Sequence, residues 1–154
     1  MFAFVITLAA LVAPDESEVL SRINWKAVYT LTGQCSRLVT PGTDYTSSCS
    51  GTLFQMEYRD GRQSWAFAAK GKALISFSGM EDQSAAAISV FKIDHVTVTS
   101  GANATARAQT ATGSCVLTVP GGERFEVKCD AHTSSGDFDA SFTSDGKAPE
   151  VINF

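Results

Sequence analysis

The hexapeptide Thr30-Leu-Thr-Gly-Gln-Cys35 returns eighty positions later as Thr110-Ala-Thr-Gly-Ser-Cys115. In each copy a second cysteine follows fourteen residues on, Cys49 and Cys129. Each cysteine pair brackets a Pro-Gly, Pro41-Gly42 and Pro120-Gly121. A turn dipeptide centred between two cysteines predicts a β-hairpin stapled by a disulfide, so Cys35–Cys49 and Cys115–Cys129 are the expected bonds. Opposed residues in a hairpin keep a constant index sum. Cys115 opposite Cys129 sets Leu117 against Val127 and Val119 against Phe125. Cys35 opposite Cys49 sets Arg37 against Ser47 and Val39 against Tyr45, with a five-residue connection over 40–44. Four cysteines allow three connectivities. Zinc is the competing use, but no Cys-x-x-Cys or Cys-x-x-His spacing is present.

The repetition extends past the cysteines. Phe54 to Tyr58 followed by Asp60-Gly61 in the first half is matched by Phe138 to Phe142 followed by Asp145-Gly146 in the second. This points to an internal duplication of segments at about 25–62 and 105–147, although reuse of turn chemistry by Thr-rich strands gives the same pattern.

Between these landmarks the chain alternates apolar and polar residues in short runs ended by Gly turns, the pattern of half-buried strands. About nine to eleven such runs predict an all-β fold, an antiparallel barrel or barrel-like sandwich. The expected inward face includes Trp25, Tyr29, Phe54, Met56, Trp65, Phe67, Ile75, Phe77, Val96, Val98, Phe138 and Phe142. Met80 to Ala87 reads as a surface loop. One short helix is expected after Pro14, capped by Asp15 or Ser17 and showing Val19, Leu20 and Ile23 on one face.

Phe2 to Ala13 is uncharged and mostly apolar. It is too short to span a bilayer and fits the apolar region of a secretory signal peptide, though no Lys or Arg precedes it. Residues 1–13 are therefore read as a signal and 14–154 as a single β domain. Disulfides and a signal point to the same secreted or periplasmic address. A net charge of -4 without a basic cluster argues against a nucleic-acid partner.

Chemistry is sparse. The two histidines are His95 and His132. Asp130 and His132 are two apart and share a strand face. If that strand lay beside His95, two imidazoles and a carboxylate could hold a divalent metal in a small metal-dependent hydrolase. Asp94 and His95 are adjacent, so an ideal strand points them to opposite faces. No Gly-x-Ser-x-Gly elbow supports a serine nucleophile. No cofactor motif is present, and no metal site is assigned.

The expected function is instead a non-enzymatic binding module for a protein, a glycan or a small apolar ligand. An envelope structural protein is a further alternative. Small disulfide-linked periplasmic barrels that inhibit lysozyme or proteases share this address and fold class, and Tyr45 to Gly61 loosely resembles them, without an inhibitor motif. The candidate binding residues are Arg37 and Tyr45. In the second hairpin the cysteine-bearing face is apolar at Leu117, Val119, Phe125 and Val127. At the matching positions the first hairpin has Arg37, Val39, Tyr45 and Ser47. An unpaired arginine is costly to bury, so solvent or a partner should reach Arg37.

Overall fold

A computed structural model describes residues 24–101, 103, 105–120 and 123–154. The proposed signal peptide and the helix expected after Pro14 lie outside the described residues. The strands are β1 (Trp25–Thr40), β2 (Thr43–Asp44), β3 (Cys49–Tyr58), β4 (Arg62–Ala69), β5 (Ala73–Ala85), β6 (Ile88–Ser100), β7 (Thr105–Thr118), β8 (Glu126–Thr133), β9 (Gly136–Ser144) and β10 (Glu150–Asn153). A 3-10 turn, Thr46–Ser48, joins β2 to β3. No helix among the described residues is long and apolar enough to cross a membrane.

The strands form an antiparallel barrel. β1, β3, β4, β5, β6, β7, β8 and β9 are hydrogen-bonded in that order, and β9 returns to β1 to close the ring. The length of β1 makes closure possible. Its first half pairs β3 on one edge and β10 on the other. Its second half pairs β9 through Gly33↔Ser144 to Val39↔Asp139. β10 thus covers the part of the β1 edge that β9 does not reach.

Side chains fill the middle of the barrel. Trp65, Phe67, Phe77, Phe142, Leu38, Leu53, Ile75 and Ile93 are among the largest fully buried. Phe67 and Phe77 meet edge to face at 5.8 Å, and Phe77 meets Phe138 at 6.5 Å. Burial of such side chains stabilises the fold by roughly 1.5–3 kcal/mol each.

Two expectations about the inner face are corrected. In β3 the inward residue is Leu53, while Phe54 and Met56 are only half-buried. The β1–β3 ladder sets Leu31 against Leu53 and Thr30 against Phe54, which fixes the parity. Nor is Met80 to Ala87 a loop. β5 runs to Ala85 and β6 starts at Ile88, so this stretch is an exposed edge strand and turn laid against β6, which in turn pairs with β7.

Both expected disulfides are formed, in different settings. Cys115 and Cys129 face each other directly in the β7–β8 ladder, with Cα atoms 4.0 Å apart. Leu117↔Val127 follows in the same ladder, as the index sum predicts. Cys35 and Cys49, with Cα atoms 5.8 Å apart, lie just beyond the point where the β1–β3 ladder stops at Thr32↔Thr52. There β1 leaves β3 to join β9, and the disulfide ties the diverging strands together.

The register expected for the first hairpin fails. Val39 opposes Asp44, not Tyr45, and Thr40 opposes Thr43 around a two-residue Pro41-Gly42 turn. Ser47 lies in the 3-10 turn. The local backbone is satisfied differently: Tyr45 N donates to Leu38 O at 2.8 Å, and Leu38 N donates to Thr46 Oγ1 at 3.1 Å. The two cysteine-bracketed segments also differ in their continuations. Cys49 and Phe54 share β3, whereas Cys129 and Phe138 lie on β8 and β9.

Candidate functional site

The barrel has two ends. At one, the β1–β2 tip, the turn that begins at Gly101 and the β8–β9 turn come together around an open cavity of about 660 Å3. We call this end the mouth. Its walls include Tyr45, Val98, Arg107, Gln109, Ser135 and Phe138. Register explains why these side chains face it. Val98 opposes Arg107 and Val96 opposes Gln109 in the β6–β7 ladder, and Val96 is fully buried in the barrel. Arg107 and Gln109 thus continue the inward side of β7 to its exposed end. Ser135 donates to Gln109 Oε1 at 2.6 Å, joining the β8–β9 turn to β7. A neighbouring hollow of about 520 Å3 is lined by Lys70, Gly71 and Lys72 and shares Ser100 and Gly101 with the mouth.

The charge here differs from that of the whole chain. Lys70, Lys72 and Arg107 are cationic, in a protein of net charge -4. Two nearby carboxylates are already engaged. Asp44 Oδ1 accepts from Thr46 N at 2.9 Å, and the Thr46 hydrogen bonds hold its pKa below the usual carboxylate range. Asp137 Oδ1 lies 2.8 Å from His132 Nδ1, and this contact raises the His132 pKa.

Of the two candidate binding residues, the structure places Tyr45 at the mouth, packed against the core, and Arg37 elsewhere. Arg37 is exposed on the outer face of β1 and pairs with Asp139. The cause is a β-bulge. Cys35 opposes Phe142 but Arg37 opposes the next residue, Ser141, so the parity of β1 switches between them. Leu38 takes the inward place instead and is completely buried. Arg37 therefore does not occupy a core position that turned polar.

The metal set suggested by sequence is not assembled. His95 opposes Thr110 on β7, while His132 opposes Thr112 and Asp130 opposes Ser114 from the far side of that strand. Among the described residues no group of three His, Cys, Asp or Glu side chains is placed to hold a metal ion. Each histidine instead has its own aspartate. A second bulge, between Ile93 and His95, brings Asp94 and His95 together, with His95 Nδ1 2.7 Å from Asp94 Oδ1. Arg62 donates to both oxygens of Asp94, at 2.7 and 2.9 Å. The Arg62 hydrogen bond, helped by that of His95, lowers the Asp94 pKa to about 2. Asp94 is thus an ionised acceptor shared by a guanidinium and an imidazole. Arg62 also reaches Ser78 Oγ at 3.2 Å, on the outer wall of the barrel.

Searches against protein-family models, curated proteins and solved structures return no match.

The sequence reading missed Arg107, Gln109 and the Lys70–Lys72 turn. The one sequence signal for Arg107 and Gln109 is their alternation with Ala106 and Ala108.

Proposed function

We propose that this protein is a secreted or periplasmic non-enzymatic binding module that engages an acidic segment of a partner protein at the mouth of its barrel. The observation that carries this reading is the cationic, partly apolar mouth set above a filled interior. A filled barrel cannot take a ligand deep inside, so recognition falls to the rim and its turns. Phe138, Val98 and Tyr45 offer apolar contact, while Arg107 offers a planar guanidinium suited to a carboxylate. Arginine and tyrosine are also the residue types that most often dominate binding energy. The Cys35–Cys49 bond closes the segment that carries the Pro41-Gly42 tip and Tyr45, and limiting the freedom of that segment lowers the entropic cost of binding. Two disulfides fit an oxidising compartment.

The test is a nuclear magnetic resonance titration with acetyl-Glu-Phe-Glu-Phe-amide as the probe. Saturable shifts are expected at Tyr45, Arg107, Gln109 and Ser135. Arg107→Glu should weaken the affinity by about tenfold or more, and raised salt should weaken it further. Shifts scattered over the outer wall, or an affinity unchanged by Arg107→Glu, would refute the mouth as the binding surface.

A further inference from the structure

β10 is a free sheet edge. Among the described residues it pairs only with β1, through Ala27↔Asn153 to Thr30↔Glu150. The next hydrogen bond of that ladder runs from Phe154 N to Lys26 O at 3.1 Å. Along an antiparallel strand, residues alternate between turning both backbone groups to their partner and turning both away. Phe154, Ile152 and Glu150 therefore turn their N–H and C=O towards β1. Val151 and Asn153 turn theirs outward.

Exposed edges are usually blunted by charge, proline or a bulge. The end of β5 that extends past its pairing with β4 follows this rule, with Glu81, Asp82 and Gln83. β10 does not. Five large apolar side chains are exposed among the described residues, and three of them, Val151, Ile152 and Phe154, lie on β10 or directly after it. Phe154 is fixed by an edge-to-face contact with Trp25, ring centroids 5.5 Å apart. Arg59 Nη2 also donates to Phe154 O, at 2.6 Å.

We propose that β10 pairs antiparallel with β10 of a second copy of this chain, about a two-fold axis at Ile152. Outward backbone groups must meet outward groups, so Val151 can oppose Val151 or Asn153 of the other copy. The first register sets Asn153 against Pro149, which has no N–H to give. The second lets Val151 and Asn153 exchange both of their bonds across the axis, and it sets Ile152 against Ile152. The apolar pair Val28↔Ile152 then continues into Ile152 and Val28 of the second copy. Charge agrees with this occupant. Glu150, at the start of β10, comes beside Phe154 of the other copy, where Arg59 is anchored. Symmetry repeats the match at the other end, which an unrelated peptide has no reason to do. The paired edge is short, so the dimer is a weak one. β10 lies along the start of β1 and the mouth lies past its end, so both mouths stay free and the dimer does not depend on the mouth reading.

The experiment uses the oxidised protein and tests the register by cross-linking. Ile152→Cys sets two thiols opposite each other in a non-hydrogen-bonded pair, with Cα atoms about 4.5 Å apart and within disulfide range. Val151→Cys sets them on a diagonal of about 7 Å or more, outside that range. Air oxidation should link Ile152→Cys several-fold faster than Val151→Cys, and faster than Met80→Cys, an exposed control away from β10. Peptide mapping should show both native disulfides intact. Sedimentation equilibrium of the unaltered protein at about 1 mM should detect dimer. Ile152→Lys, which opposes two like charges at the axis, should weaken it about tenfold or more. All three positions are exposed, so thermal melts of these variants should match the parent. A protein that is monomeric at about 1 mM, a dimer that survives Ile152→Lys, or Ile152→Cys linking no faster than Val151→Cys or Met80→Cys would each overturn the proposal.

Discussion

Arg37 on β1 opposes Ser141 on β9, one step out of phase with the Cys35–Phe142 pair beside it. The extra residue, Ser36, turns the strand so that Leu38 enters the core and Arg37 leaves it. Leu38→Ala should therefore cost about 2–5 kcal/mol. Arg37→Ala should cost about 1 kcal/mol or less, because its ion pair with Asp139 is more than a third exposed on both sides and screened by water. Leu117→Ala, at a half-buried position, should fall between them. Urea unfolding of the three variants checks this order. An Arg37→Ala loss equal to that of Leu38→Ala would mean that the bulge is misplaced.

The same bulge separates what could be read in the sequence from what could not. The second hairpin was legible because both of its strands stay paired to each other, so turn and cysteines fix the register locally. The first was legible only as a disulfide. Its strand β1 pairs with β9, more than a hundred residues away, and the bulge arises in that distant ladder. Alternation along β1 alone carries no trace of it. The barrel class could be read from the spacing of Gly turns, since most neighbours in sequence are neighbours in space. The mouth could not. Arg107 looks like any polar residue in a Thr- and Ala-rich strand until the β6–β7 register sets it opposite Val98.

The two disulfides should differ in accessibility. Cys115 and Cys129 are 0% and 1% exposed, whereas Cys35 and Cys49 are half-buried. A water-soluble phosphine acting on the folded protein should open Cys35–Cys49 first, as read by alkylation and peptide mass mapping. Each bond closes a fourteen-residue separation and should stabilise the fold by about 3 kcal/mol in the chain-entropy model. Initial opening of Cys115–Cys129 would contradict the burial difference.

Acid should act on the Arg62–Asp94 pair. Asp94 has its pKa lowered from 3.8 to about 2, chiefly by Arg62. A carboxylate with a depressed folded pKa contributes stability that is fully present above its unfolded value and is lost as the pH falls through its folded value. The contribution of Asp94 should therefore hold above pH 3.8 and fade as the pH drops through about 2. Arg62→Ala should move the Asp94 titration upward, measured on the side-chain carboxyl carbon by nuclear magnetic resonance. An unchanged titration would show that Arg62 is not the cause.

Ile93 is flanked by Gly79 on β5 and Gly113 on β7, and both positions leave no room for a side chain. A Cβ at Gly79 would lie 1.8 Å from the Lys92 carbonyl oxygen, and one at Gly113 would lie 2.0 Å from the Asp130 carbonyl oxygen. Both obstacles are backbone atoms, so no rotamer change relieves them. At Gly79 the close neighbour is β6, next to the bulge that brings Asp94 and His95 together; at Gly113 it is β8, and glycine permits both approaches. Gly79→Ala and Gly113→Ala should each force the ladders apart and destabilise by at least about 1–3 kcal/mol. The contrasting control is Gly71, at φ +68 with open space around it. There Gly71→Ala should cost only the backbone term of about 1 kcal/mol, and Gly71→Asn less, since asparagine tolerates that conformation. Denaturant midpoints for the four variants decide the matter. A Gly79→Ala midpoint no lower than that of Gly71→Ala would mean that β5 and β6 have freedom to separate at the bulge, and that the Asp94–His95 contact is not held in place by the fold.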